Sequence, residues 1–288
     1  AQWVAGGAVA DAVLARRGDE IVLVSVAACE RRAEDNLAST PIAALFERDP
    51  RRVDRLTWTW NGFRADLSKE RITPEAMTGL CAHAEEVGLA RWIAALFAGE
   101  KVNVSEGRPA LHPALRDASS APLAVDGDDV RGNIRAVRER TARIADDIRR
   151  GARLGATGAP IRHLVHLGIG GSDLGPRLVV EALRGEGARG GPDVAFVANV
   201  DPVALDRALA GLDPRATLFV VASKGFTTQE TLANARAARA WLEDGLPPDA
   251  DARRHFVAAT ASVGAAAAFG VPADAILPFH EGVVGRFS

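Results

Sequence analysis

A chain of 288 residues with a formal net charge of −2 carries no bulk positive field, which argues against nucleic acid or an anionic membrane as its partner. Its hydrophobic fraction of 48% and charged fraction of 25% are those of an ordinary soluble globular protein, with room for about two domains. Cys29 and Cys81 have no partners at metal-ligand spacing, so a reduced, cytoplasmic setting is the simplest reading. No cationic amino-terminal segment leads into a signal-type core, and the apolar run 21–28 is too short to span a membrane.

Residues 1–35 are rich in Ala and Arg, contain one strand-like run at 21–26, and stay unassigned. Residues 36–126 read as mainly helical. Ile42, Leu45 and Phe46 precede a stop at Asp49-Pro50, and the alternating run 56–63 turns at Asn61-Gly62 as a hairpin would. Thr73-Pro74-Glu75 reads as an N-cap with Pro at the first helical position, and a further helix carries Trp92, Ile93 and Leu96. The stretch 117–128, rich in Ser, Pro, Gly and Asp, is the candidate domain boundary.

From 127 to 288 the pattern becomes α/β. Val130, Ile134, Val137, Ile144 and Ile148 mark a long amphipathic helix ending near Gly151. Strand runs follow at 164–167, 194–200, 218–222 and 255–260, separated by helical or Gly/Pro-containing connections. Such alternation predicts right-handed βαβ units in a parallel, doubly wound sheet, with any ligand outside the carboxyl ends of the strands.

Two strand-to-helix stretches concentrate the chemistry. In 163–176 (HLVHLGIGGSDLGP), Gly168, Gly170 and Gly171 allow positive φ and close approach of a ligand, and Ser172 offers a hydroxyl near a helix start. Pro176 suits the first helical position, with Leu178, Val179, Ala182 and Leu183 following at helical spacing and Gly185 at the end. In 217–231 (TLFVVASKGFTTQET), Ser223, Lys224, Thr227 and Thr228 place three hydroxyls and one ammonium within a short loop. Thr227 and Glu230 have capping-box spacing, and Leu232, Ala235, Ala238 and Leu242 form the stripe of the next helix. Lys occurs only at 69, 101 and 224 in an otherwise Arg-biased chain.

Familiar nucleotide and hydrolase patterns fail on these loops. Asp173 stands where a dinucleotide fingerprint wants its third Gly, and Gly175 is followed by Pro-Arg where a P-loop wants Lys-Ser/Thr. Leu174 excludes a hydrolase elbow around Ser172. Anion binding, above all of phosphate, survives. His163 and His166 have metal-like spacing, yet on a strand they point to opposite faces and read as structural. His280 and Glu281 have no assigned role, and the charged run 138–150 reads as a solvated helix face.

The segments 168–176 (GIGGSDLGP), 223–231 (SKGFTTQET) and 283–288 (VVGRFS) closely resemble the glucose-6-phosphate isomerase family. Residues 66–68, 99–116 and 196–201 resemble further family segments in the expected order, and the likeness runs from about residue 36 to the end. The resemblance implies a sugar-isomerase domain that binds the 6-phosphate of a hexose, with no metal or organic cofactor. Carried over by position, Gly171 and Ser172 belong to one phosphate loop, and Ser223, Lys224, Gly225, Thr227 and Thr228 to the other. Arg286 resembles the arginine that stabilises the enediolate. The family usually has Thr at the position of Gly225, and the loss of a hydroxyl there predicts weaker phosphate binding.

The family's proton-moving glutamate, and its ring-opening histidine and lysine, come later than Ser288. The resemblance therefore implies an amino-terminal portion that supplies the phosphate site without the base and is inactive alone. Family members form homodimers with active sites completed across subunits. The alternative expectation is a non-catalytic sugar-phosphate-binding module or regulator.

Overall fold

The computed structural model describes residues 12–17, 20–25, 37–104, 106–183 and 191–283. The chain divides into two compact units, residues 1–95 and 96–288.

In the first unit, strands β1 (Ala12–Arg17) and β2 (Glu20–Ser25) form an antiparallel pair. Helix α1 (Ile42–Arg48) ends at Asp49 before Pro50, as expected, and a single turn α2 (Arg52–Arg55) follows. The hairpin of β3 (Thr57–Trp60) and β4 (Phe63–Asp66) turns on Asn61 and Gly62, with φ of 45° and 81°. Positive φ at both central residues matches the twist of the flanking strands, which is why Asn-Gly marks such turns. Helix α3 (Pro74–Glu86) is capped by the Thr73 hydroxyl, which accepts from the Ala76 N–H at 3.1 Å. Leu56, Ile72, Met77, Leu80 and Ala84 form this unit's core. Beside it the buried Arg52 guanidinium donates to the carbonyls of Ser68 and Glu70, so its charge is not left without acceptors. Helix α4 (Leu89–Phe97) ends the region.

The second unit begins with α5 (His112–Arg116), a short hairpin of β5 (Ala124–Val125) and β6 (Asp128–Asp129), and the long helix α6 (Val130–Arg149). The Asp129 carboxylate caps α6 by accepting from the Gly132 N–H at 3.1 Å. Leu111, Ala114, Val125, Val130 and Val283 pack together, so the stretch 117–128 lies inside this unit.

Strands β7 (His163–Leu167), β8 (Asp193–Val197), β9 (Thr217–Ala222), β10 (Phe256–Thr260) and β11 (Ile276–Pro278) form one parallel sheet in the order β11-β10-β9-β7-β8. Helices α7 (Gly171–Leu183), α8 (Pro202–Leu209), α9 (Gln229–Gly245) and α10 (Val263–Phe269) connect them. The parallel α/β expectation holds, with β11 as an addition. That strand escapes a reading of apolar runs because it is three residues long and ends in Pro278, which an edge strand tolerates. Val165, Leu167, Leu218, Phe219, Val221 and Phe256 fill the core, with Ala235, Ala238 and Leu242 of α9 packed into it.

A buried histidine locks the opposite end of the sheet. The His255 Nδ1–H donates to the Thr217 carbonyl at 2.7 Å, and Nε2 accepts from the Ala156 N–H at 2.8 Å. A carbonyl can only accept and an amide N–H can only donate, so these partners require the neutral ring. Burial accordingly pushes its pKa down, against the opposing bond to Thr217. A folded pKa below the unfolded value of about 6.5 means the stabilisation is fully present above that pH and is lost as pH falls through the folded pKa. The denaturation midpoint should therefore drop between pH 7.5 and 5.5, and His255→Gln should flatten that dependence; an unchanged slope in the variant would contradict it.

Candidate functional site

Strands β7 and β9 are direct neighbours, with Leu167 opposite Val221. From that pair the chain moves outward in opposite senses: β8 lies beyond β7, and β10 and β11 lie beyond β9. This is the topological switch point of the sheet, where adjacent connections diverge and leave a crevice at the carboxyl ends of the strands. Both loops singled out by sequence start there, from strands about 4.8 Å apart.

The first loop turns within four residues. Gly170 adopts φ of 59°. At Gly168 a Cβ would come within 2.6 Å of the Ser172 carbonyl oxygen, so only glycine fits without displacing the following turn. Helix α7 then starts at Gly171 rather than at Pro176, which sits inside it. The early start arises because Asp173 and Leu174 already donate to the Gly170 carbonyl, at 3.0 and 2.9 Å. Gly171 and Ser172 are consequently the first residues of a helix whose N–H groups favour an anion. Gly171 is exposed, and a Cβ built on it would meet nothing within 4 Å. Asp173 is buried in the same turn and pairs with Arg177 through two bonds of 2.9 and 3.1 Å. Leu174, Leu178, Val179 and Leu183 are exposed, so the apolar stripe of α7 is not part of the core. The expected terminal Gly185 lies outside the described residues.

The second loop is pinned from below and open above. The Ser223 N–H donates to the Ala259 carbonyl at 3.1 Å, and the Lys224 carbonyl accepts from the Ala261 N–H and the Thr260 hydroxyl, both at 2.9 Å. Phe226 takes φ of 52° and buries its ring against Phe269, with centroids 5.8 Å apart. The left-handed turn drives the aromatic ring inward, while Gly225, Thr227 and Thr228 stay exposed. Sequence reasoning missed this anchor, although a large apolar residue between polar ones was its signal.

The capping box does not form. Helix α9 begins at Gln229, with Thr228 as N-cap and no side-chain cap bond. The Thr228 hydroxyl instead shares a hydrogen bond of 3.1 Å with the Ser223 hydroxyl. Thr227 lies outside the helix, its Oγ1 3.0 Å from where a Cβ on Gly225 would stand. The glycine thus leaves space that the Thr227 hydroxyl uses.

Gly171 and Ser172 are therefore brought to the same sheet edge as Ser223, Lys224, Gly225, Thr227 and Thr228. Arg286 lies outside the described residues. The segment leading to it is held by the Leu111 N–H, which donates to the Gly282 carbonyl at 2.8 Å. His280 turns inward on its own loop, accepting from the Gly282 N–H at 3.0 Å, and Glu281 pairs with Arg108 at 3.2 Å. His163 and His166 have separate partners, Asp193 and the Ser172 carbonyl. Among the described residues no group of three or more His, Cys, Asp or Glu side chains could hold a metal ion, and no helix is long and apolar enough to cross a membrane.

The family model of phosphoglucose isomerase matches residues 66–288. The glucose-6-phosphate isomerase of Aromatoleum aromaticum is 48% identical over 252 residues, which is 88% of this chain and 45% of that protein. The glucose-6-phosphate isomerase of Roseiflexus castenholzii is 46% identical over 244 residues, 85% of this chain and 45% of that protein. The chain thus spans a little under half the length of these relatives. A crystal structure of a glucose-6-phosphate isomerase from Chlamydia trachomatis shares the fold, with a TM-score of 0.68 over 91% of this chain and 49% of that one, at 24% identity.

Packing at the first loop makes a direct prediction. Gly168→Ala should lower the unfolding free energy by about 1–3 kcal/mol through overpacking against the Ser172 carbonyl, measured by chemical denaturation. Gly171→Ala, which meets no neighbour, should cost less than half of that.

Proposed function

The chain belongs to the phosphoglucose isomerase family, and we propose that its two switch-point loops hold the phosphate of a hexose 6-phosphate. The observation that carries this is the adjacency of β7 and β9, which sets a helix start and a hydroxyl-rich, lysine-bearing loop on one sheet edge. Gly171 offers its backbone N–H and Ser172 its hydroxyl, the Ser172 N–H already donating to the Ile169 carbonyl at 3.2 Å. Ser223, Lys224, Thr227 and Thr228 offer further hydroxyls and an ammonium, and Gly225 offers its backbone alone. A dianionic phosphate rewards charge-assisted hydrogen bonds of this kind.

The reaction is the reversible interconversion of glucose 6-phosphate and fructose 6-phosphate through an enediol. A base removes the proton from C2 of the aldose and returns it to C1, and the carbonyl oxygen gathers negative charge meanwhile. Arg286, by its match to the family motif, stabilises that charge. Proton transfer needs a base within hydrogen-bond reach, and no carboxylate of this chain matches the family's glutamate. These residues therefore supply the phosphate site and the stabilising arginine, while the base belongs to the part of the family protein that this chain does not span. The working enzyme is a cytoplasmic homodimer that uses neither metal nor organic cofactor.

Calorimetric titration with fructose 6-phosphate tests the assignment. Saturable binding is expected, and Ser172→Ala should weaken it roughly ten- to a hundredfold, the worth of one hydrogen bond to a charged group at about 1.5–3 kcal/mol. Binding untouched by the substitution would remove the first loop from the site. The chain alone should show no turnover in a coupled isomerase assay, and turnover would show that it contains a base after all.

A further inference from the structure

Pro176 leaves a gap in α7. Its nitrogen carries no hydrogen, so the carbonyl four residues earlier, that of Ser172, lacks its i, i+4 donor. In its place the buried ring of His166, at the end of β7, puts Nε2 2.7 Å from that oxygen. Because the carbonyl only accepts, the ring holds its proton on Nε2.

Three residues make the contact. Pro176 frees the acceptor. Gly168 admits it, since a Cβ there would stand 2.6 Å from the Ser172 oxygen and 3.1 Å from His166 Nε2. His166 supplies the donor. The imidazole is held against Phe196 of β8, with ring centroids 5.3 Å apart, and the Arg177 guanidinium lies 4.9 Å from the same phenyl ring. Arg177 also pairs with Asp173, so ring, helix turn and neighbouring strand form one cluster.

We propose that His166 is a positioning residue for phosphate: by holding the Ser172 carbonyl it fixes the residue whose hydroxyl the first loop presents to the ligand. This rests on the reading that the loop binds phosphate. An ordinary helix would hold Ser172 through its own i, i+4 bond, which follows wherever the helix frays or tilts. A bond from β7 ties Ser172 to the sheet instead, and therefore to β9 and the second loop paired with it.

Titration of four variants with fructose 6-phosphate tests the proposal. His166→Leu, which keeps bulk but removes the donor, should weaken binding about tenfold relative to the parent, a change of about 1.4 kcal/mol. His166→Gln, whose amide nitrogen takes the place of Nε2, should stay within threefold. Pro176→Ala restores an N–H to the helix and should bind like the parent. In that background His166→Leu should cost less than threefold, which also serves where the single variant is poorly folded. Equal affinity of His166→Leu and parent, or an undiminished loss in the Pro176→Ala background, would overturn the inference alone. A folded parent that fails to bind would overturn the phosphate reading and this inference with it.

Discussion

The pairing of β7 with β9 is the contact on which the rest of this architecture depends. These strands are far apart in sequence, separated by α7, β8 and α8, yet their ends are in register at Leu167 and Val221. Once that pair forms, the connection through β8 leaves on one side and the connection through β10 on the other. Two loops that share no local sequence then face the same crevice. The pair is dry: Val165, Leu167, Leu218, Phe219 and Val221 are all buried, and hydrophobic burial at about 25 cal/mol per Å2 makes this the stable centre of the sheet. Both loops thus start from the buried centre of the sheet.

Each loop follows one physical plan, in which backbone and apolar groups are tied down so that polar groups can be left out. In the second loop, Phe226 and the Lys224 carbonyl hold the chain to the core and to the end of β10, leaving Thr227 and Thr228 at the surface. In the first, Gly168 and His166 hold Ser172 while Gly171 stays bare. Such loops lose little entropy when they bind an anion, because the ordering has been done during folding. The departure at Gly225 fits this plan: removing a side chain leaves room for the Thr227 hydroxyl without loosening the anchors on either side.

Much of this was legible in the amino-acid order, and the misses have physical causes. The runs at 164–167 and 218–222 announce themselves because both faces of each strand are buried, giving continuous apolar sequence. The helix starts did not. Pro176 obeys a local preference for the first turn, but deeper in the helix a histidine from β7 supplies the donor that the Ser172 carbonyl has lost. Thr227 and Glu230 have capping spacing, but the neighbouring hydroxyl pair of Ser223 and Thr228 sets the boundary at Gln229. Strand β1 hides behind alanines and arginines, and β11 behind its brevity and its proline. Local rules were overruled wherever a partner distant in sequence met the same polar group.

The most direct test of the central claim is a nuclear magnetic resonance titration of the isotopically labelled chain with glucose 6-phosphate, following backbone amides at 169–173 and 223–228. Two loops acting as one phosphate site should shift along a single saturation curve, with the largest changes at Gly171, Ser172 and Lys224. Shifts confined to one loop, or two loops saturating at different concentrations, would contradict the shared site at the switch point.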